Sequence, residues 1–412
     1  MDLLLHQSKI PNQKLTIAIS GSKSETNRLL LLQALYPQIV LKNESNSDDS
    51  KVMIRALTNW KQNTVVDIHH AGTAMRFLTS FFAVQEGAEV MLTGSERMKE
   101  RPVKILVDAL NSLEADVTYK EKTGFPPLYI KGKKIVKNQV TLAADVSSQY
   151  VSALLLIAPK LENGLEVVLS GQMTSKPYIS MTLALLKSIG VVVVQSSNTI
   201  KVSPLSEITK PLTITVESDW SSVSYYYSLI ALSEIGTQIM ISSFKKDSLQ
   251  GDAALVTIYE KFGVQTTFEK EAIVLEKITH PIDSVIQLQL NNCPDIAQTI
   301  AVTCFGLGIS CLLEGLHTLK IKETDRLEAL KNELTKLGAD ISVTNDSLFL
   351  EASEYINTNT VIKTYQDHRM AMAFAPLALK TNIVIEEAEV VSKSYPDFWK
   401  DMESIGIRIE KK

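Results

Sequence analysis

Three cysteines among 412 residues, Cys293, Cys304 and Cys311, are too few and too odd in number for a disulfide framework. A basic excess is also missing. Forty-two Lys and Arg against 46 Asp and Glu leave a formal charge of −4, which excludes a general nucleic-acid binder and a polybasic membrane-surface protein. The opening MDLLLHQSKI carries no long apolar segment of the secretory kind, so the expectation is a reducing cytoplasm. Low-complexity tracts do not occur. One stretch could be mistaken for a membrane span, the 18 uncharged residues between Asp295 and Glu314. Its Gln298, Thr299, Thr303 and central Gly-Leu-Gly predict a buried helix followed by a buried strand instead. With 45% apolar and 21% charged residues the chain is globular, and its length suits two or three domains.

What is present is an internal repeat. Amphipathic helical segments end at a pivot and pass straight into an alternating strand: LVDALNSLEADVTYK (106–120), MTLALLKSIGVVVVQ (181–195), LVTIYEKFGVQTTFE (255–269), ALKNELTKLGADISVT (329–344) and DFWKDMESIGIRIEK (397–411). The pivots Glu114, Gly190, Gly263, Gly338 and Gly406 recur at intervals of 76, 73, 75 and 68 residues. Glycine suits this position because a helix C-terminus often needs a left-handed residue. A weaker sixth copy is expected at VMIRALTNWKQNTVV (52–66). The period fits a βαβαββ unit, and six copies predict two domains of three units each.

Polar helix heads on very apolar helices are the second signal. KLTIAISGSKSETNRLLLLQAL (14–35) runs a strand into Ser-Gly-Ser-Lys-Ser and a helix with Asn27 and Arg28. That is an anion site in the making, although it lacks the spacing of a Walker A loop, which excludes a P-loop kinase. HHAGTAMRFLTSFFA (69–83) places Arg76 after Gly72-Thr73, and GSERMKERPV (94–103) offers Arg97 and Arg101. ADVSSQYVSALLLIAP (144–159) begins with Ser147, Ser148 and Gln149. KIKETDRLEAL (320–330) packs Lys322, Glu323, Asp325 and Arg326 together, and YQDHRMAMAFAPLAL (365–379) sets Asp367, His368 and Arg369 before a buried helix. Any one of these alone reads first as a cap or an ion pair. Taken together, helices that are apolar all round must be buried, so their heads should gather where phosphates or carboxylates are held.

Read in order, GSKSETNR, AGTAMR, GSERMKERP, SSQY, SKPY, PDIA, KETDR and DHRMAM closely resemble the 3-phosphoshikimate 1-carboxyvinyltransferase (EPSP synthase) family, over Gly21 to Lys393. The resemblance implies an α/β fold of two similar domains, each of three βαβαββ units with helices inside and sheets outside. One domain would comprise residues 1–20 with 218–412, including the first strand, and the other residues 21–217, with hinges near 20 and 217–218. It implies transfer of the enolpyruvyl group of phosphoenolpyruvate to the 5-hydroxyl of shikimate 3-phosphate, with release of phosphate through a tetrahedral intermediate. Neither metal nor organic cofactor is implied, and no nucleic-acid or membrane partner; the chain is expected to act as a cytoplasmic monomer.

Carried over by motif, Lys23, Ser24, Arg28, Ser147, Ser148, Gln149, Ser175, Asp295 and Lys322 would bind shikimate 3-phosphate, with Tyr178 adjacent. Lys23, Gly72, Arg101, Gln149, Arg326, Arg369 and Lys393 would bind phosphoenolpyruvate. Asp295 and Glu323, assisted by Lys23, would move protons, and domain closure would exclude water. His70, Phe77, Thr318 and Trp220 depart from the family pattern, which has Asn, Pro, Asn and a small residue at those places. The sister family acting on UDP-N-acetylglucosamine relies on a reactive Cys in its N-terminal half, whereas every Cys here lies beyond residue 292. Cys293 is expected to be buried and inert. A binding protein without turnover would gain nothing from two pocket carboxylates.

Overall fold

Each pivot of the repeat takes up the left-handed conformation that its place at a helix end demands. Gly190, Gly263, Gly338 and Gly406 have φ of 94°, 76°, 102° and 103°, and Glu114 has φ of 70° despite its side chain. The computed structural model describes the whole chain except residues 12, 14, 144–146 and 172–175. Its residues divide into two compact units, Met1–Ser20 with Glu217–Lys412, and Gly21–Val216.

In the unit formed by both termini there are three four-stranded sheets of one design. The clearest instance pairs Val285–Gln289 in parallel with Ser310–Glu314; Ser347–Leu350 and then Ile341–Val343 follow antiparallel. Because parallel neighbours need a crossover, the buried helix Ala297–Leu307 joins the first pair, and Arg326–Lys336 leads to the edge strand. Two N-terminal strands complete the other sheets, where the resemblance had implied one: Leu15–Ala18 lies parallel to Gln238–Ser242, and Leu3–Leu5 sits between Ile383–Ile385 and Ile409–Lys411.

The Gly21–Val216 unit has two such sheets and one remnant. Among the described residues Leu212–Thr215 pairs only with Ile39–Lys42, in parallel. The sixth copy of the repeat expected at 52–66 is therefore incomplete. Its helix, Asp48–Asn59, is present, but Val65–Asp67 pairs with Glu89–Thr93 and opens the next sheet, so among the described residues it forms no hairpin of its own.

Helices form the interior of each unit. Lys23–Leu35, Gly72–Ala83 and Ser148–Ile157 in one, and Trp220–Leu232, Ala297–Leu307 and His368–Phe374 in the other, are the central helices and bury most of their residues. Strands alternate, as in Gln139–Ala143, with one face inward and one toward solvent. The uncharged stretch after Asp295 is a helix ended by left-handed Gly308 and then a strand, as its composition predicts. Among the described residues no helix is long and apolar enough to cross a membrane.

Candidate active site

Within each unit the N-terminal ends of the three central helices carry the polar side chains singled out in the sequence. Local chemistry sets these ends. Asp219 caps its helix by accepting from the Ser222 N–H at 2.8 Å, and Asp367 from the Arg369 N–H at 2.9 Å. Ser22 and Ser147 do the same less closely. Such caps satisfy otherwise orphaned donors and fix where the next side chain points.

In the unit containing both termini, Arg369 ties three helix ends together. It donates to the Asp295 carbonyl at 3.0 Å and to Ser221 Oγ at 3.2 Å, and lies 3.5 Å from the Asp295 carboxylate. Asp295 also accepts from Arg326 at 2.9 Å and faces Lys322 at 3.4 Å. Burial alone would push the Asp295 carboxyl up, but Lys322, Arg369 and Arg326 outweigh it and hold the group well below the usual carboxylate range. Arg326 is the most engaged cation. Besides Asp295 it donates to Glu323 at 2.8 Å and to the fully buried Asp367 at 2.7 Å. Burial would lower its pKa, yet those carboxylates raise it. Lys393 reaches the Gln366 carbonyl at 2.7 Å. That carbonyl belongs to Tyr365-Gln366, two successive non-glycine residues with φ of 53° and 55°, a strained approach to Asp367 of the kind found at functional sites.

Asp252 and Ser221 belong to this cluster and were not picked out from sequence. The Ser221 hydroxyl donates to Asp252, completing a chain Arg369–Ser221–Asp252. Burial, with Asp295 nearby, pushes the Asp252 carboxyl up to about 6 against the pull of Arg369. A lone Asp in LQGDAA offers no pattern that separates it from a surface turn.

The Gly21–Val216 unit is built differently. Arg28 is 2% exposed and donates to Thr182 Oγ1 at 2.8 Å, to the Ser24 carbonyl at 2.7 Å and to Ser152 Oγ at 3.3 Å. Its guanidinium stands over the Phe77 ring at 5.4 Å, which gives the departure at that position a role, and over Tyr178 at 6.0 Å. No carboxylate lies within ion-pair range of it among the described residues, and burial lowers its pKa to about 10. Lys23 lies 3.6 Å from Asp49, which His70 also approaches at 3.8 Å. Asp49, at a buried helix start in SDDS, is another residue that sequence reading passed over.

Gly72 is where two guanidiniums crowd the backbone. A Cβ there would come within 2.5 Å of Arg101 Nη1 and 2.8 Å of Arg76 Nη1, so any larger residue would displace a guanidinium. Arg76 donates to the Gly72 carbonyl at 2.7 Å, and Tyr150 fixes the neighbouring Pro102 carbonyl at 2.7 Å. Gln149 joins two helix ends by donating to Thr73 Oγ1 at 3.2 Å; Ser148 beside it is buried and Ser147 is exposed. Arg97 instead makes an exposed pair with Glu100. Ser175 lies outside the described residues.

Trp220 is fully buried, donates to Glu217 at 2.8 Å and packs on Phe244. Thr318 leaves its buried hydroxyl without a hydrogen-bond partner among the described residues. All three cysteines are buried and free, and burial pushes the Cys293 thiol up to about 12, as its expected inertness requires.

Comparison with known proteins bears on the same chemistry. Residues 40–402 match the family of EPSP synthase (3-phosphoshikimate 1-carboxyvinyltransferase). A 3-phosphoshikimate 1-carboxyvinyltransferase of Bacteroides fragilis is 44% identical over 97% of each chain, and one of Haemophilus influenzae is 34% identical over 95% of this chain and 96% of its own. In fold, EPSP synthase of Acinetobacter baumannii superposes with a TM-score of 0.81 at 19% identity over 99% of each chain. The enolpyruvyl transferase NikO of Streptomyces tendae gives 0.76 at 13% identity, over 99% and 98%.

Proposed function

The chain belongs to the EPSP synthase family, and from that premise we propose that it is a 3-phosphoshikimate 1-carboxyvinyltransferase (EC 2.5.1.19). It transfers the enolpyruvyl group of phosphoenolpyruvate to the 5-hydroxyl of shikimate 3-phosphate and releases phosphate. The observation that carries this reading is the Asp295 carboxylate held among Lys322, Arg326 and Arg369. Two substrates bearing phosphates and carboxylates repel each other, and fixed cations offset that repulsion.

Asp295 takes the proton of the 5-hydroxyl as that oxygen attacks C2 of phosphoenolpyruvate. Held among these cations, Asp295 is a weak base. An anionic substrate that draws on Arg369 and Lys322 relieves that hold, so proton affinity rises when the reaction needs it. Glu323 donates a proton to C3 and takes one back as phosphate leaves the tetrahedral intermediate. Lys23 assists this proton transfer. Lys23, Ser24, Arg28, Ser147, Ser148, Gln149 and Ser175 serve shikimate 3-phosphate together with Asp295 and Lys322. Gly72, Arg101, Arg326, Arg369 and Lys393 serve phosphoenolpyruvate, with Lys23 and Gln149 touching both. Arg326, already shared among three carboxylates, orients Asp295 and Glu323 as much as it binds substrate. The enzyme works as a cytoplasmic monomer.

Phosphate release is the test. It is expected with phosphoenolpyruvate plus shikimate 3-phosphate and not with UDP-N-acetylglucosamine. Release only with the nucleotide sugar overturns the acceptor, and release with neither overturns turnover itself.

A further inference from the structure

Opposite the Asp295–Arg369 cluster, at the C-terminal ends of the central helices of the same unit, lies a cavity of about 330 Å³. The helix Trp220–Leu232 has 13 residues, so this cavity is roughly 20 Å from the reacting groups. Leu232, Leu307 and Leu379 line it with apolar surface, and Lys277 lines it with charge. Its size is at the lower end of ligand pockets, roughly 300–1,000 Å³, and more than twice the roughly 150 Å³ known to hold benzene.

Lys277 is the unusual member. It is 2% exposed, and its backbone is fixed between the Thr237 carbonyl and the Gly236 N–H. Its ammonium donates to the Phe262 carbonyl at 2.6 Å, which uses one of three donors. No carboxylate lies within ion-pair range of it among the described residues. Burial, with Lys380 adding repulsion, lowers its pKa to about 8. A buried charge is normally paired or neutralised; this one has a carbonyl partner and belongs to a residue that lines a cavity. Lys380 and His280 stand exposed around it, and Lys9 pairs with Glu234 at 2.9 Å on the rim. Helix C-terminal ends disfavour anions, but carbonyls here are already taken: Ser233 N–H donates to Ile230, Gly308 to Phe305 and Ile309 to Cys304. The lysines therefore set the local potential.

We propose that this cavity is a second binding site, selective for a small organic carboxylate about one ring in size, whose carboxylate pairs with Lys277 while its body rests on Leu232, Leu307 and Leu379. Nothing in the transfer reaction requires it, so its fate is separate from that of the catalytic assignment.

Benzoate is the probe, titrated calorimetrically into the full chain, with benzyl alcohol as its uncharged counterpart. Benzoate should bind saturably at one site per chain and benzyl alcohol at least about tenfold more weakly. Lys277→Met should weaken benzoate at least about tenfold, Lys277→Arg much less, and neither should change turnover. In the unaltered protein the affinity should fall about tenfold or more between about pH 7 and about pH 9.5, as the ammonium gives up its proton. Lys380, Lys9, His280 and Glu234 are the other titratable groups facing the cavity. Any fall that persists in Lys277→Met belongs to them and counts against the proposal. Should Lys277→Met fail to fold, the alcohol comparison and the pH profile decide alone. No saturable benzoate binding, equal binding of the alcohol, or a flat pH profile overturns the site.

Discussion

The clusters of the two units solve opposite electrostatic problems. Around Asp295 the cations Lys322, Arg326 and Arg369 meet Asp295, Glu323 and Asp367 at 2.7–3.5 Å. That network is internally balanced and includes groups that can exchange protons. In the Gly21–Val216 unit, Arg28 is buried against hydroxyls, carbonyls and aromatic rings with no carboxylate of the described residues in ion-pair range, and Arg101 crowds Gly72 beside a second guanidinium. A cation paid for by neutral dipoles alone keeps its attraction for an incoming anion; one surrounded by carboxylates orients them instead. Under the proposed mechanism the Asp295 cluster contributes the proton-carrying carboxylates besides its cations, whereas the Arg28 and Arg101 surroundings contribute anion holding.

The sharpest way to break that division is to remove the proton-carrying groups. Asp295→Asn and Glu323→Gln should each lower kcat by about 10²–10⁴-fold, the usual worth of general acid–base groups, with KM changed much less. Steady-state kinetics with both substrates varied decides it. Unchanged kcat in both variants would move the chemistry away from this cluster.

Stability should separate the clusters next. Arg326→Met strips the shared partner from Asp295, Glu323 and Asp367 and should cost about 3–5 kcal/mol in urea unfolding, the penalty for breaking a buried ion pair. Arg28→Met removes a buried charge that leaves no carboxylate unpaired among the described residues. It should change stability by less than about 1 kcal/mol while raising KM for shikimate 3-phosphate. Equal losses in the two variants would erase the contrast.

Asp252 gives the balanced cluster a pH signature. A carboxyl that titrates near 6 when folded, against an ordinary 3.8, costs stability once it ionises. Stability should therefore fall as pH rises from about 4 to about 6, by up to about 2–3 kcal/mol, and stay lower above that. Asp252→Asn should flatten this step in unfolding midpoints followed against pH. The same step surviving the substitution would assign it to another group.

The repeat was legible because helix ends impose a conformation that leaves a residue-type trace. Four of the five pivots are glycines, and Glu114 was placed by spacing although its φ of 70° is one that glycine adopts more cheaply. The helix heads were legible for a related reason: Ser, Asp and Gly before an apolar run announce a cap. The truncated sixth copy was hidden because Asp48–Asn59 looks like every other repeat helix, and only pairing shows that Val65–Asp67 belongs to the following sheet. Asp252 and Asp49 were hidden for want of any periodic or motif signal. Their importance comes from burial beside charges distant in sequence, which composition does not encode.

Gly72→Ala tests the anion-holding cluster at the smallest scale, one methyl group. Helix propensity favours alanine at this helix start, so the fold should lose less than about 1 kcal/mol. The added carbon would arrive 2.5 Å from Arg101 Nη1 and 2.8 Å from Arg76 Nη1. Arg76 is held by the Gly72 and Pro102 carbonyls, so Arg101 is the side chain that gives way. Displacing it by a few tenths of an ångström to one ångström should raise KM for phosphoenolpyruvate about tenfold and leave kcat within a few-fold, since that geometry serves binding. A fall in kcat with KM unchanged would mean that Arg101 acts in the transition state rather than in holding the anion, and the division of labour between the two clusters would have to be redrawn.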